Sequence, residues 1–208
     1  YYHRINILFM IMNAGSGHIG TSFSIIDFLI LFNNSKYKKN LLFSSKGHDS
    51  PAFYSTAIAD GKIKFDKLFK FRKIDGLPGH PDKSIKIFKF NTGSLGMGIS
   101  KAKGYLKNKK NKYAFVILGD GELQEGQIWE SLNQRINSRL KIIIDCNKLQ
   151  SDFTTRATSD IGNIKKKFQA FGLKVREIDG HNFYEINNSL KNINNFDCLI
   201  LNTIKGYG

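Results

Sequence analysis

The 208-residue sequence is short of cysteine, of long apolar runs and of acidic residues, and each shortage excludes something. Cys146 and Cys198 are its only cysteines. Two are too few for a disulfide-dense scaffold or a four-cysteine zinc site, and they fit a reducing compartment. The longest apolar runs, Ile7–Met12 and Phe28–Phe32, fall far short of the ~20 residues a membrane helix needs. No secretory leader pattern is visible, and the chain opens on Tyr1 without Met, which leaves its natural N-terminus open. Asp and Glu number 17 against 32 Lys and Arg, a net charge of +15. Nucleic-acid faces interleave Arg and aromatics along one element. Here Lys far outweighs Arg, and the clusters Lys36/Lys38/Lys39, Lys101–Lys112 and Lys165–Lys167 read as a solvated surface. No nucleic-acid or membrane partner is expected, whereas anionic partners such as phosphorylated substrates are favoured. With 41% hydrophobic residues the chain can bury a sizeable core, so one cytoplasmic domain over residues 1–208 is expected.

Apolar periodicity then places the elements. Ile5, Ile7, Leu8, Ile11 and Met12 give a helical stripe before Gly15, and Ser22–Phe32 reads as a second, wholly buried helix. Leu41–Ser45 reads as a strand, Pro51–Ala59 as a helix capped by Ser50, and Phe65–Arg72 as a short amphipathic helix. Two prolines and two glycines make Asp75–Asp82 a loop, after which Gly93–Leu106 resumes helix. Ala114–Leu118, Lys141–Asp145, Leu173–Ile178 and Cys198–Asn202 carry strand signatures, with helices at Gln127–Arg139, Ile161–Phe171 and Phe183–Lys191 between them. Strands alternating with helices predict an α/β fold, a doubly wound, mainly parallel sheet covered on both faces.

Three motifs carry chemistry. Four of the five histidines follow glycine, at His18, His48, His80 and His181. Glycine lets backbone approach a ligand while the imidazole points into the space, and the spacing fits no zinc helix. Proton handling or phosphate contact is expected for the first three, a turn role for His181. Second, Gly119-Asp120-Gly121 follows the strand Ala114–Leu118, and Asn147 follows the strand Lys141–Asp145. An Asp carboxylate and an Asn carbonyl at neighbouring strand ends are two hard oxygens suited to Mg²⁺ or Ca²⁺. Third, Asn91-Thr92-Gly93-Ser94-Leu95-Gly96-Met97-Gly98 precedes a helix, so backbone N–H groups could face a ligand; tight helix packing is the alternative. Its spacing is not that of a nucleotide P-loop.

Gly119-Asp120-Gly121-Glu122-Leu123-Gln124-Glu125-Gly126-Gln127-Ile128-Trp129-Glu130 closely resembles the cofactor motif of transketolase, a thiamine-diphosphate enzyme family. Ser16-Gly17-His18, Ser45-Lys46-Gly47-His48, Pro78-Gly79-His80, Thr92–Gly96, Asp145-Cys146-Asn147-Lys148-Leu149-Gln150, Phe168–Gly172, Asp179-Gly180-His181 and Lys205–Gly208 fall in the family's order. The resemblance covers essentially the whole chain and looks like the family's first, diphosphate-binding domain alone. It is similar to the N-terminal subunit of transketolases split over two polypeptides.

The resemblance implies roles residue by residue. Asp120 and Asn147 look like side-chain Mg²⁺ ligands, with Leu149 supplying a backbone carbonyl. Gly121 and His48 resemble the diphosphate contacts, and Glu122 belongs to the same cofactor motif. Gly93, Leu95 and Gly96 resemble the loop along the thiazolium and pyrimidine. His18 and His80 resemble the histidines that move protons at the sugar's oxygens, and Glu125 the glutamate that couples sites across the interface. The implied activity is transfer of a two-carbon ketol unit between phosphorylated sugars. The implied partner is a pyrimidine-binding C-terminal subunit, two of each chain assembling together. The family's cofactor-activating glutamate belongs to that partner. Ile19 replaces a usual proline, Ser151 an apolar residue and Phe153 a glycine, departures that bear on substrate preference. Another thiamine-dependent carboligase acting on a modified sugar or 2-oxo compound, a non-catalytic homologue, and a nucleic-acid binder resting on charge alone are the competing readings.

Overall fold

A computed structural model of the chain describes residues 1–134, 137–151 and 153–208. Helix α1, Tyr2–Ala14, closes on Gly15, whose φ of 61° lets its N–H reach the Met12 carbonyl. Helix α2 spans Ile19–Asn33, strand β1 Leu41–Ser44 and helix α3 Ser50–Ala59, with Pro51 in its first turn. A long connection leads to α4, Gly98–Lys107. Strand β2 is Ala114–Gly119, α5 is Gly126–Leu132 and β3 is Leu140–Cys146. The two-residue strands β4, Leu149–Gln150, and β5, Phe153–Thr154, follow, then α6 at Thr155–Thr158 and α7 at Ile164–Ala170. Strand β6, Val175–Asp179, helix α8, Phe183–Lys191, and strand β7, Cys198–Asn202, complete the order.

Five strands form a parallel sheet in the order β1-β2-β3-β7-β6, and β4 and β5 pair antiparallel. Side chains alternate across a strand, and the strands use both sides. Phe115, Ile117, Ile143, Leu199 and Leu201 pack in one core with Ile7 and Met10 of α1, Phe28 and Phe32 of α2, Tyr54 of α3 and Ile186 of α8. Val116, Leu118, Ile142, Ile144 and Ile200 form the other core with Ile99 and Leu106 of α4, Ile128 of α5 and Phe168 of α7. The expected parallel sheet covered on both faces is therefore what the chain forms. Among the described residues no helix is long and apolar enough to cross a membrane.

Several local expectations are corrected. In α1 only Ile7 and Met10 of the apolar residues are buried, whereas Ile5, Leu8, Phe9 and Met12 are exposed, the last by 75%. The helix is apolar nearly all round, so periodicity alone could not choose its buried side. Helix does not run from Gly93, because Gly93 and Gly96 hold φ of +102° and +81° and α4 starts at Gly98. Ser50 does not cap α3: Asp49 holds the cap position, and Ser50 Oγ donates to the Gly79 carbonyl at 2.7 Å. Phe65–Lys70 is a 3₁₀ turn that ends before Arg72, itself at φ +56°. The helix expected over Gln127–Arg139 ends at Leu132, and residues 135–136 of it lie outside the described residues.

Candidate functional site

Parallel pairing sets the C-terminal ends of β1, β2 and β3 side by side, with Ser44 opposite Ile117 and Gly119 opposite Asp145. These are the ends at which open α/β sheets hold ligands. Asp120 leaves β2 with its N–H on the Asp145 carbonyl at 3.2 Å. Its carboxylate is only 4% exposed and accepts from Gly121 N (2.8 Å) and Lys148 N (2.5 Å). Burial pushes its pKa up to about 6, ahead of every other influence, and a cation beside it would favour the ionised form. Asn147 follows β3, and its Oδ1 accepts from Leu149 N at 3.0 Å in a tight turn. A cavity of about 520 Å³ opens beside Asp120, lined also by Cys146, Lys148, Thr155, Arg156 and Asp160. Burial pushes the Cys146 thiol up to about 12, which excludes it as a nucleophile. A larger hollow of about 660 Å³ lies between α4 and α5, away from these groups.

Glycine brings the histidine loops together. A Cβ on Gly93 would lie 3.1 Å from His80 Cδ2, and one on Gly47 would also meet that ring. The His18 and His48 rings are 5.1 Å apart. His48 Nδ1 lies 3.1 Å from the Lys46 carbonyl, which can only accept, so Nδ1 carries the proton and Nε2 the lone pair. Burial, then Lys46 and His18, lower the His48 pKa to about 3. Burial, followed by Arg72, also lowers His18 and His80. The site thus holds three neutral imidazoles.

The Glu122 side chain is held from within the protein. Its buried carboxylate accepts from Ser45 Oγ (2.5 Å), Gly96 N (2.7 Å) and Gly119 N (3.3 Å), while Gly98 N donates to Ser45 Oγ. One side chain so ties the Gly93–Gly98 loop to the ends of β1 and β2. Leu95 and Leu149 present exposed apolar side chains, and Glu125 stands exposed at the start of α5.

Sequence reasoning missed the polar layer beneath. Lys46 is fully buried; its ammonium donates to Asp145 Oδ2 (2.5 Å) and Thr21 Oγ1 (2.8 Å), with Asp49 at 3.6 Å. Ser24 and Thr203 hydroxyls donate to the same Asp145 carboxylate, both at 2.6 Å. The signal was Asp145 itself, a charge directly after the apolar run Ile142–Ile144. His181 takes a structural part, as expected: its Nε2 accepts from Ile204 N, its Nδ1–H donates to Asp27, and its ring stacks on Tyr207.

Residues 2–208 match the family described as transketolase, thiamine diphosphate binding domain. The chain belongs to that family. It is similar to the 6-deoxy-6-sulfo-D-fructose transketolase subunit of Clostridium sp. strain MSTE9, 33% identical over 93% of this chain and 79% of that protein. It is also 32% identical to one of the subunits of the apulose-4-phosphate transketolase of Actinobacillus succinogenes, over 96% of this chain and 81% of that one. Transketolase from Campylobacter jejuni has the same fold, with a TM-score of 0.88 at 27% identity over 97% of this chain. Only 36% of that transketolase is covered, so the chain spans about a third of its length.

The donor set fits what a transketolase domain implies. Among the described residues no three His, Cys, Asp or Glu side chains could hold a metal unaided. One carboxylate with neutral oxygens suits a hard cation whose remaining positions go to phosphate and water. Over Gly121, Gln150 Oε1 is buried with no partner among the described residues, at a cost of roughly 1–3 kcal/mol if it stays so.

Proposed function

We propose that the chain is the diphosphate-binding subunit of a two-chain transketolase. It would move a two-carbon ketol unit from a ketose phosphate to an aldose phosphate, using thiamine diphosphate and Mg²⁺. The observation that carries this reading is that Asp120 and Asn147 follow the neighbouring strands β2 and β3, while beyond the end of the adjoining β1 the His48 ring lies against His18 and Gly47 against the His80 ring. Asp120 and Asn147 hold the cation with the Leu149 carbonyl, and Gly121 and His48 receive the diphosphate. Gly93, Leu95 and Gly96, held by Glu122, border the rings. Thiamine diphosphate, when bound, supplies the electron sink for breaking and making the carbon–carbon bond. His18 and His80, kept neutral, accept and return protons at the sugar's carbonyl and hydroxyl oxygens near neutral pH.

The partner is a chain carrying the pyrimidine-binding side, two copies of each, with Glu125 at the contact between them. Relatives of which the chain covers about four-fifths are named as subunits, and α1 leaves Ile5, Leu8, Phe9 and Met12 open for a partner to cover. Two free, buried cysteines suit a cytoplasmic setting. The names of the relatives favour one variation, a modified or branched sugar in place of a pentose phosphate. The test supplies thiamine diphosphate, Mg²⁺, xylulose 5-phosphate and ribose 5-phosphate to the purified chain, first by itself and then with its partner. Turnover only with the partner is expected, and turnover by the chain without it would sink the two-chain reading. Turnover by the complex with sulfo- or branched sugars alone would favour the variation.

A further inference from the structure

Gln150 lies over Gly121. A Cβ on Gly121 would come within 2.7 Å of Gln150 Oε1 and 2.9 Å of its Cβ, so a glycine there is what makes room for the glutamine. Among the described residues the buried Oε1 has no hydrogen-bond partner, although buried carbonyl oxygens are nearly always satisfied. Its strand β4 runs alongside the Asp120–Gly121 turn, pinned by the bond from Lys148 N to Asp120 Oδ2. Asn147, three positions earlier, bonds the backbone of Leu149 in the same strand. The unpaired oxygen therefore sits on the short segment after Asn147 whose backbone N–H groups bond both side chains that offer hard oxygens.

We infer that Gln150 Oε1 is a further oxygen of the diphosphate–cation site, meeting the cation directly or through one of its waters. This rests on the reading of Asp120 and Asn147 as the pair that holds the cation. A neutral amide suits the position because it adds an oxygen without adding negative charge to a site that must also admit diphosphate. Gly121 and Gln150 then act as a pair: the glycine gives the space, and the glutamine fills it with an acceptor.

The test titrates Mn²⁺ into the full chain with inorganic diphosphate present, following free Mn²⁺ by its electron paramagnetic resonance signal. Thermal melting of the same proteins without ligand runs beside it. Gln150→Leu keeps the bulk and removes the oxygen, so Mn²⁺ affinity should fall about 10-fold, while the melting temperature should hold or rise. Gln150→Glu keeps an oxygen at the position and should bind Mn²⁺ more tightly than Gln150→Leu. Unchanged affinity in Gln150→Leu would reduce the side chain to a space-filler and overturn the inference. Weaker binding by Gln150→Glu than by Gln150→Leu would overturn it too, by turning the amide nitrogen towards the diphosphate. Asp120→Asn separates the two levels. If it weakens Mn²⁺ binding and Gln150→Leu does not, only the Gln150 assignment fails; if Asp120→Asn or the wild type shows no specific binding to lose, the cation site fails with it.

Discussion

His80 packs its ring against Gly47, where a Cβ would stand 2.9 Å from His80 Cδ2, 2.6 Å from Thr92 Oγ1 and 2.9 Å from Gly93 N. Three loops far apart in sequence meet at a point with room for a hydrogen atom. Gly47 also holds φ of +71°, where an L side chain costs about 1–2 kcal/mol.

Gly47→Ala therefore combines backbone strain with a clash against backbone that cannot swing away. The melting temperature should fall by roughly 5–10 °C, and the His80 resonances should shift more than those of His181. A melting temperature within a degree of wild type would show that the three loops do not depend on this contact.

The parallel sheet was readable because β2, β3 and β7 are built around apolar runs buried on both faces, and because glycine and asparagine mark where they end. Asp120 and Asn147 were readable for the same reason, as polar residues directly after such runs. What sequence could not supply was direction. The burial of Ile7 and Met10 in place of Ile5 and Leu8 depends on which side of α1 meets α3. Glu122 sits in the cofactor motif, yet its carboxylate turns inward to Ser45 and Gly96, a choice fixed by the long-range meeting of β1 and β2. Lys46 likewise stands beside one of the Gly-His pairs, but its partners Asp145 and Thr21 lie on other elements.

Acid should destabilise the protein through His48. Its folded pKa of about 3 lies below the unfolded value of 6.5, so the unfolded chain takes up a proton that the folded one refuses. The stability present above pH 6.5 is therefore lost as pH falls from 6.5 towards 3. Between pH 7 and pH 5 one such histidine accounts for roughly 2 kcal/mol. His48→Gln should flatten that part of the curve in urea titrations at the two pH values. Equal pH dependence in wild type and variant would show that the imidazole is protonated in the folded chain.

Lys46 is a buried charge whose removal strands its partners. Burial alone would lower its pKa, yet Asp145 and Asp49 outweigh this and hold it above the ordinary lysine value. Lys46→Met leaves the Asp145 carboxylate without a cation and should cost about 3–5 kcal/mol. Adding Asp145→Asn removes the stranded charge, so the double variant should be more stable than Lys46→Met alone. Denaturant midpoints for the four proteins of the cycle measure the coupling, and strict additivity would contradict it.

Holding the cofactor and moving protons should fall to different histidines. Both His48 and His80 are neutral histidines after glycine, but only His48 has its Nδ1–H fixed on a backbone carbonyl, leaving Nε2 to face a ligand. To donate to a phosphate oxygen that Nε2 must first gain a proton, so binding through His48 should take up close to one proton at neutral pH. His48→Ala removes a charge-assisted hydrogen bond of roughly 1.5–3 kcal/mol, present in ground and transition states alike. Cofactor affinity should fall, and most of the rate should return when the cofactor is saturating. His80→Ala leaves the diphosphate contacts in place, so affinity should hold while the saturated rate drops by ~10²–10⁴-fold, the scale of lost acid–base help. Calorimetry in buffers of different ionisation enthalpy counts the proton, and cofactor titrations of the two-chain enzyme give the split between affinity and rate. Rescue of His80→Ala by cofactor, with no rescue of His48→Ala, would exchange the two roles.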